Sequence, residues 1–438
     1  MPLIDRDKDK YYICQYKIDG LIFMLGSKNV KMTNTNVLSI EKIDDFDFNM
    51  RSILKVSLHI DIRKKLWIIK NKSKITAKFA LDIIGVDTED EEDIIDPESV
   101  FNSQFAVYLN DEDDAVDADS MADGIEFQEG DDFQENDTEE DGYFSSENSL
   151  DVYLFDKNQI ASSNKPVNLV FTKANMNQMV GYILTSTKHK KVLMSPLENT
   201  KIYKELLIPS DKAYRGLIYL DQYYGFYKRG AVIFYDTDIL YIINPNGKCT
   251  AWKKKEWKET TFLITSHRDS TPGNGMIRKQ KQKKYYVNLP EDNVAPQSTS
   301  TSKNDNYGSS AKVVFTDSTR IDNANADQSY MGNRNEDIIY IRKDDNQFMA
   351  SMAKARMEEN ESILRINGDN WDIRAFTPNK QYRVVFQDTR KQKKYGKYLY
   401  RISYAYHFLK AEDGEMMSSS HQIILKRCGK NTKTSSSN

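Results

Sequence analysis

The sequence predicts a mainly β protein with an α+β middle segment, and three observations support this. Aromatic residues are 11% of the 438 residues, with 26 Tyr and 19 Phe, as is typical of β-rich globular proteins. Short apolar runs with period-two alternation recur on both sides of the middle segment. Residues 209–243 instead place helical spacing directly before strand patterns, so a helix is expected to run into a β meander there.

The first β segment is expected to span residues 1–160. Its clearest strands are 53–60, ILKVSLHI, and 75–84, ITAKFALDII, whose apolar residues alternate with polar ones. Shorter β-like runs lie at 11–16, 21–25, 37–40 and 150–155. A small barrel or sandwich is predicted, because such strands must bury one face against one another.

An acidic, disordered insertion is predicted within this segment at about 87–149. Residues 79–156 contain no Lys, Arg or His, while 111–141 are crowded with Asp and Glu. Such a run repels itself and offers few side chains for a core, so we expect flexibility.

The acidic run does not contain an EF-hand loop. Asp119, Asp123 and Gly124 fit the first, fifth and sixth positions, but Met121 and Gly130 occupy the third and twelfth, where ligands belong. No metal site is therefore predicted, although weak binding of a divalent cation by the run is left open.

The middle domain is expected at 161–250. Residues 175–184 form an amphipathic pattern typical of a helix, and a second helix should begin at Ser210 or Asp211, whose side chain can cap it. That helix should end at Gly225, with Ala213, Leu217, Leu220 and Tyr224 on one face.

The stretch after that helix is rich in aromatic residues. Phe226 to Tyr227, Ala231 to Tyr235 and Ile239 to Ile243 are predicted strands, with a tight turn at Gly230. The candidate core or interface residues are Phe226, Tyr227, Phe234 and Tyr235. We expect these four either to hold the middle domain together or to line a subunit interface.

A second β segment is expected at 251–428, followed by a disordered tail at 429–438. Its polar stretch 268–335 resembles linker and loops, with short apolar islands at 284–289 and 312–316. A long helix is predicted at 348–364. Strands are predicted at 371–375, 381–387, 398–408 and 422–426.

No catalytic or cofactor-binding motif is evident. The five histidines lack HExxH or HxH spacing, and neither a P-loop nor GxSxG occurs. His407 lies on an alternating strand and is interpreted as a core or surface histidine. The three cysteines are far apart, which disfavours a disulfide framework or a zinc site, and no run is long enough for a membrane-spanning helix. A non-enzymatic protein without a cofactor, made in a cytoplasm, is predicted.

Three basic clusters offer a possible surface for nucleic acid. They are 253–258, 278–284 and 390–397, each near Trp or Tyr residues that could stack on bases. Solvated loops, or salt bridges to an acidic neighbour, are the favoured alternative, because no known nucleic-acid motif accompanies them. The net charge of −3 also differs from that of a polycation.

Two stretches resemble the hub proteins of contractile phage tails: the late control D family, the hub part of the type VI spike protein and the T-even baseplate hub. One stretch is 220–243, LDQYYGFYKRGAVIFYDTDILYII, with a tyrosine-glycine turn before a strand ending in Phe-Tyr-Asp. The other is 353–426, with Ile366-Asn367-Gly368, Pro378 and Tyr395-Gly396-Lys397-Tyr398 between its helix and closing strands.

The resemblance implies two small tube-like β-barrels flanking a helix-containing domain. It also implies a structural virion protein, a homotrimeric hub of the tail baseplate that adapts a sixfold tube to a threefold central spike. The implied partners are further copies of the chain, the tail-tube protein, a separate spike protein and other baseplate proteins. Neither a membrane anchor nor specific nucleic-acid binding is implied.

Two alternatives remain. One is another tail or baseplate protein with the same barrel fold. The other is a tail-associated cell-wall hydrolase, which would require a clustered acid or Cys/His site. The sequence leaves open the host, the tail type and the roles of the acidic insertion and the polar stretch.

Overall fold

The structure is a computed structural model, and it describes most of the predicted β segments and the whole middle helix pair. For 93–95, 312–316, 338–342 and 430 it describes the backbone only. The described residues are 11–47, 51–72, 74–87, 93–109, 148–187, 189, 191–237, 239–245, 257–266, 275–279, 281–297, 312–316, 338–342, 351–352, 355, 359, 362–412 and 416–430.

Strands dominate the described part of the chain. The strands are β1 (Tyr12–Leu25), β2 (Lys28–Met32), β3 (Val37–Asp45), β4 (Ile53–His59), β5 (Thr76–Asp87), β6 (Asp93–Leu109), β7 (Ser149–Asp156), β8 (Pro166–Asn175), β9 (Lys191–Met194), β10 (Ile202–Lys212), β11 (Val232–Asp236), β12 (Ile239–Ile243), β13 (Glu259–Thr265), β14 (Gly275–Lys279), β15 (Lys284–Pro290), β16 (Val294–Gln297), β17 (Lys312–Thr316), β18 (Ile338–Arg342), β19 (Ile363–Asp369), β20 (Gln381–Phe386), β21 (Tyr398–Ala411) and β22 (Met416–Lys430). The longer helices are α1 (Ile62–Asn71), α2 (Lys157–Ser163), α3 (Met176–Thr187) and α4 (Ala213–Tyr224).

A first ring of eight strands closes on itself. Its order is β1, β5, β6, β7, β4, β3, β21 and β22, and β22 pairs back onto β1 at Tyr16–Met417 and Lys17–Met416. Side chains alternate between buried and half-exposed along β4, as the period of two in ILKVSLHI requires. The inward residues form one apolar core.

A second ring uses three strands of the first. β14, β15, β13 and β20 connect β1 to β21, through single pairs at Tyr12–Met276 and Tyr382–Tyr400. β19 and β16 extend from β22. One hydrophobic cluster therefore runs through both rings, since β1, β21 and β22 belong to each.

The middle segment has its own core. β8 and β10 form a two-stranded antiparallel ribbon, and β11, β12 and β9 form a three-stranded sheet in which β9 is parallel to β12. Helices α3 and α4 pack against the β8–β10 ribbon. Their buried side chains share a second hydrophobic cluster with Tyr235 of β11 and with Leu240 and Ile242 of β12. The prediction of a mainly β fold with an α+β middle segment is confirmed.

The insertion predicted at 87–149 is wrong over its first part, because residues 93–109 form β6. The strand pairs with β5 along most of its length and with β7 at 105–109. Phe101, Phe105 and Val107 point into the core on one face, and this alternation was hidden by the acidic composition around it. Residues 110–147 lie outside the described residues.

The polar stretch predicted at 268–335 also contains regular structure. β14, β15 and β16 form between 275 and 297, and Tyr285 and Val287 are 2% and 0% exposed. The islands predicted at 284–289 and 312–316 are confirmed as β15 and β17. The strand content was underestimated because Gly, Asn and Lys separate the short apolar runs.

The strand predicted at 371–375 is wrong, because Ile373–Ala375 is a 3-10 turn. The carboxylate of Asp372 accepts a hydrogen bond from the Arg374 N–H at 2.9 Å and caps that turn. Trp371 is fully buried and lies against Gly368. The apolar side chains of this segment therefore fill the core, although its backbone is not a β-strand.

Two boundaries around α4 differ from the prediction. The helix begins at Ala213, not at Ser210 or Asp211, because β10 continues to Lys212 and pairs there with Pro166. Phe226 and Tyr227 lie in a bend instead of a strand. The end of the helix at Gly225 and the strand at 239–243 are confirmed.

The structure describes only part of the segment 348–364, for which a helix is predicted. Ser351, Met352, Ala355 and Glu359 are helical, whereas Ile363 and Leu364 already belong to β19. At the end of the second β segment, β22 continues to Lys430. Gly429 and Lys430, predicted as the start of a disordered tail, therefore belong to the sheet. Residues 431–438 lie outside the described residues. The domain boundaries at 160, 250 and 428 stay a prediction.

Candidate interaction surfaces

The turn after α4 is fixed by one buried carboxylate. Gly225 adopts φ 74°, a left-handed conformation that favours glycine, and ends the helix. Asp221, in the last helical turn, then accepts hydrogen bonds from the N–H groups of Phe226 and Ala231, each at 2.9 Å. The two ends of the turn are thereby tied to one side chain.

A buried amide supports the same turn from the other side. The Nδ2 group of Asn199 lies 2.9 Å from the Tyr224 carbonyl and 2.8 Å from the Gly225 carbonyl. These carbonyls end a helix and lack intrahelical partners, so the amide satisfies them. The sequence reasoning missed Asp221 and Asn199. One signal was present: an acidic residue in the last helical turn opposes the helix dipole, which suggests a local hydrogen-bonding role.

The four candidate core or interface residues lie inside the chain. Phe226, Tyr227 and Phe234 are 0% exposed and Tyr235 is 1% exposed. The Tyr227 hydroxyl lies 2.7 Å from the Ser195 carbonyl, and Phe234 packs edge-on against Phe46 at 4.5 Å between ring centres. Phe226, Tyr227 and Tyr235 belong to the middle cluster and Phe234 to the cluster of the rings.

A buried ion pair joins the first ring to the middle segment. Lys42 of β3 contacts Asp44 and lies 3.1 Å from a carboxylate oxygen of Asp236 in β11. Burial alone would lower the pKa of Lys42, but Asp236 and Asp44 raise it, so the lysine stays a cation. The Ser52 N–H also donates to the Tyr235 carbonyl at 2.8 Å.

The outer face of the β8–β10 ribbon exposes apolar side chains. Val170 and Leu207 are cross-strand partners and are 67% and 55% exposed. Tyr223 of α4 is also exposed, and its ring centre lies 4.6 Å from that of Tyr219. Apolar and Tyr side chains of this kind are common in protein interfaces.

The three basic clusters lie in different environments. Residues 253–256 lie outside the described residues. In 278–284, Arg278 pairs with Glu98 at 3.3 Å and lies over the ring of Trp257 at 4.8 Å, so Arg278 packs within the chain. Lys281 is exposed. In 390–397, Arg390, Lys393, Lys394 and Lys397 are exposed.

A cavity of about 380 Å³ opens where the two rings and the middle segment meet. Trp257 and Tyr285 form one wall, with 4.4 Å between ring centres and their ring planes tilted by 31°. The charged lining residues are Lys42, Arg278, Arg374, Lys380, Glu98 and Asp236. Cations outnumber carboxylates in this lining by four to two.

The described part of the chain contains no group of three or more His, Cys, Asp or Glu side chains placed to hold a metal ion. His407 is buried and contacts His421. Cys14 and Cys428 are buried free thiols, and burial raises the pKa of each. None of the helices described in the structure is both long and apolar enough to cross a membrane.

The sequence match to a protein family covers almost the whole chain. The family is described as Bacteriophage PBS1 gene 109 protein, and it matches residues 15–428. The chain belongs to this phage family. No curated protein matches the sequence.

Solved structures with a similar arrangement include phage tail proteins. A tail protein from Neisseria meningitidis MC58 is 11% identical with a TM-score of 0.46, covering 95% of this chain and 96% of that one. The 43 kDa tail protein of prophage MuSo2 from Shewanella oneidensis is 10% identical with a TM-score of 0.45, covering 92% and 96%. A component of the Escherichia coli type VI secretion system, described as similar to T4 bacteriophage tail proteins, is 8% identical with a TM-score of 0.38, covering 93% and 76%.

Proposed function

We propose that this phage protein is a structural, non-enzymatic component of the virion tail, and that within the tail it is the trimeric hub of the baseplate. The observation that carries the proposal is the pair of closed rings in one chain. Three copies would present six rings, which suits a part that joins a sixfold tube to a threefold central spike. The partners are two further copies, the tail-tube protein, a separate spike protein and other baseplate proteins.

The shared strands suit this mechanical role. Because β1, β21 and β22 belong to both rings, neither ring can tilt without disturbing hydrogen bonds in the other. The exposed face of the β8–β10 ribbon supplies apolar area for contact between copies, and both ribbon edges lack a further strand among the described residues.

The mass of the purified chain in solution tests this proposal. We expect a species of three times 50.8 kDa, which binds to tail tubes in electron micrographs. A monomer at high concentration that does not assemble on a tube would contradict the hub. Turnover of cell wall by the purified chain would favour the hydrolase alternative instead.

A paired substitution tests the contact face. Val170→Lys with Leu207→Glu keeps the net charge and places opposite charges across the ribbon, so the monomer should fold while the trimer dissociates. The matched control is Asn102→Lys with Gln104→Glu, exposed positions on the outside of β6, which should leave the trimer intact.

A further inference from the structure

The outer face of the first ring is apolar over four neighbouring strands, β21, β3, β4 and β7. Along β4, β7, 39–45 of β3 and 404–410 of β21, side chains that face the core alternate with more exposed ones that face outwards. The outward apolar side chains, here named the sheet face, are Tyr404, Tyr406, Phe408, Ile43, Ile53, Tyr153 and Phe155. They belong to neither of the two hydrophobic clusters. A continuous apolar surface on the outside of a ring is typical of a protein interface.

The strand register places these side chains next to one another. Tyr406 of β21 pairs with Ile43 of β3, and Ile43 pairs with Ile53 of β4, so one row of apolar side chains crosses three strands. Phe408 lies two residues from Tyr406 on the same strand and therefore on the same face. The sheet face is thus one surface assembled from segments far apart in the chain.

The charged side chains within the sheet face are already paired with one another. The Nζ atom of Lys55 lies 3.2 Å from a carboxylate oxygen of Glu41 and 2.8 Å from one of Asp151. The Tyr406 hydroxyl donates to Glu41 at 3.0 Å. An apolar partner can therefore cover this surface without separating a charge from its counter-ion.

A closed trimer needs two different contact surfaces on each copy. A surface that packs against itself joins only two copies, whereas a cyclic trimer repeats one contact between unlike surfaces. The outer face of the β8–β10 ribbon, with Val170 and Leu207 exposed at its centre, is one apolar surface of the chain. The sheet face is a second and different one, so the two together meet this requirement.

The two surfaces also match in form and length. From Tyr404 to Phe408 the sheet face extends about 13 Å along β21, at ~3.3 Å per residue. The exposed side of β8 from Asn168 to Thr172 has the same number of residues and hence the same length. A two-stranded ribbon can pack face to face on a sheet, with about 10 Å between the two layers.

We propose that the sheet face of one copy receives the outer face of the β8–β10 ribbon of the next copy. The cross-strand pair Val170 and Leu207 packs over the row that contains Ile43 and Ile53, and this contact repeats around the trimer. This pairing rests on the trimeric hub proposed above and names the surface that the ribbon contacts.

Cross-linking between two co-expressed full-length chains tests the pairing. All chains carry Cys249→Ser, and Cys14 and Cys428 are buried. One chain carries Leu207→Cys and the other carries Ile53→Cys. A short bismaleimide reagent should join them about tenfold more efficiently than when the second chain carries Lys78→Cys instead, because groups held in contact react at a high effective concentration.

Lys78→Cys is the matched control, since Lys78 is exposed on β5 in the same ring. Equal yields from Ile53→Cys and Lys78→Cys would overturn the pairing. A comparable yield when both chains carry Leu207→Cys would also overturn it, because that result requires ribbon to pack against ribbon.

A charge reversal separates this pairing from the hub itself. Leu207→Lys alone and Ile53→Glu alone should each raise the dissociation constant of the trimer about tenfold or more, because each places an unpaired charge in an apolar contact. The two substitutions in one chain should restore much of the affinity, since each lysine then faces a glutamate of the next copy. Phe155→Glu replaces Ile53→Glu if that protein does not fold.

Sedimentation of each protein over a range of concentrations measures these constants. If the unaltered chain is a trimer and neither sheet-face substitution weakens it, the pairing is wrong and the hub stands. If the double variant dissociates as readily as the single ones, the pairing is also wrong. A monomeric unaltered chain would overturn both the pairing and the hub.

Discussion

His407 and His421 face each other from β21 and β22, with 2.8 Å between their Nδ1 atoms. The Nε2 atom of His421 accepts a hydrogen bond from the backbone N–H of Trp371, with 3.0 Å between the nitrogens. Neutral His421 therefore carries hydrogen on Nδ1 and donates it to His407. His407 then carries hydrogen on Nε2, which has no hydrogen-bond partner among the described residues.

Acid should destabilise the fold through this pair. Burial lowers the pKa of His421 to about 3, although Asp372 raises it, and burial, His421 and Lys42 lower the pKa of His407 well below its ordinary value. The unfolded chain binds protons below about pH 6.5 and the folded pair does not, so stability falls as pH falls. At pH 5 the loss is about 2 kcal/mol per histidine relative to pH 7.5.

Urea unfolding at pH 7.5 and pH 5 measures this loss. His407→Phe cannot be protonated, so its stability should fall less between the two values than that of the unaltered chain. His59→Gln, a change outside the pair, should leave the loss unaltered. The idea fails if His407→Phe loses as much stability as the unaltered chain.

Gly368 should not tolerate a side chain. A Cβ atom there would lie 1.9 Å from Cζ2 of the buried Trp371, so Gly368→Ala forces the indole out of its site and should destabilise the fold by about 3 kcal/mol. The control is Gly181→Ala in α3, where nothing lies within 4 Å. That substitution should stabilise the protein by about 0.5–1 kcal/mol through helix propensity. Thermal unfolding compares the two.

Removing the carboxylate of Asp221 should loosen the turn at 225–231. Asp221→Ala leaves the N–H groups of Phe226 and Ala231 without their acceptor, which should destabilise the fold by about 1–3 kcal/mol. Asp221→Asn keeps a single acceptor oxygen, so its free energy of unfolding should lie between those of Asp221→Ala and the unaltered chain. Gln222→Ala, an exposed neighbour, should change the free energy of unfolding by less than about 0.5 kcal/mol. An Asp221→Ala protein as stable as the Gln222→Ala protein would contradict the capping role.

Asp47 should be the main anionic anchor of β21 and β22. It lies 2.6 Å from both Arg401 and Lys426 and accepts a hydrogen bond from Ser403 at 2.9 Å. Burial alone would raise the pKa of Asp47, but Arg401 and Lys426 hold it at about 2.

Asp47→Asn should therefore destabilise the fold by about 3 kcal/mol, because it leaves the partly buried Lys426 without its carboxylate and leaves Arg401 paired with Glu359 alone, at 2.7 Å. In the unaltered chain this contribution is present above about pH 4 and is lost as pH falls towards 2, since the folded pKa is the lower one. Asp369→Asn, an exposed position on β19, is the matched control and should have little effect in denaturant titrations at pH 7. Equal free energies of unfolding for Asp47→Asn and Asp369→Asn would contradict the anchoring role of Asp47.

Local signals determined much of the fold. Strict alternation predicted β4 and β5, glycine predicted the end of α4 at Gly225 and the turn at Gly230, and 3.6-residue spacing predicted the buried face of Ala213, Leu217 and Leu220. Each of these depends on residues close together in the chain. The strand β6 was missed for the same reason, because composition averaged over its acidic surroundings outweighed the alternation of Phe101, Phe105 and Val107.

The sequence by itself thus determined a β-rich chain with a helical middle, and it left open whether the aromatic stretch is core or interface. Only the tertiary structure decided which strands pair: Tyr16 contacts the Trp371 carbonyl across 355 residues, and β22 closes a ring that begins with β1. The contacts of Asp221, the His407–His421 pair and the cavity between the rings and the middle segment likewise form where distant segments meet. Backbone hydrogen bonds between strands do not depend on which side chains the strands carry, so local sequence does not specify the partner of a strand. Pairing depends instead on how all apolar faces are buried together.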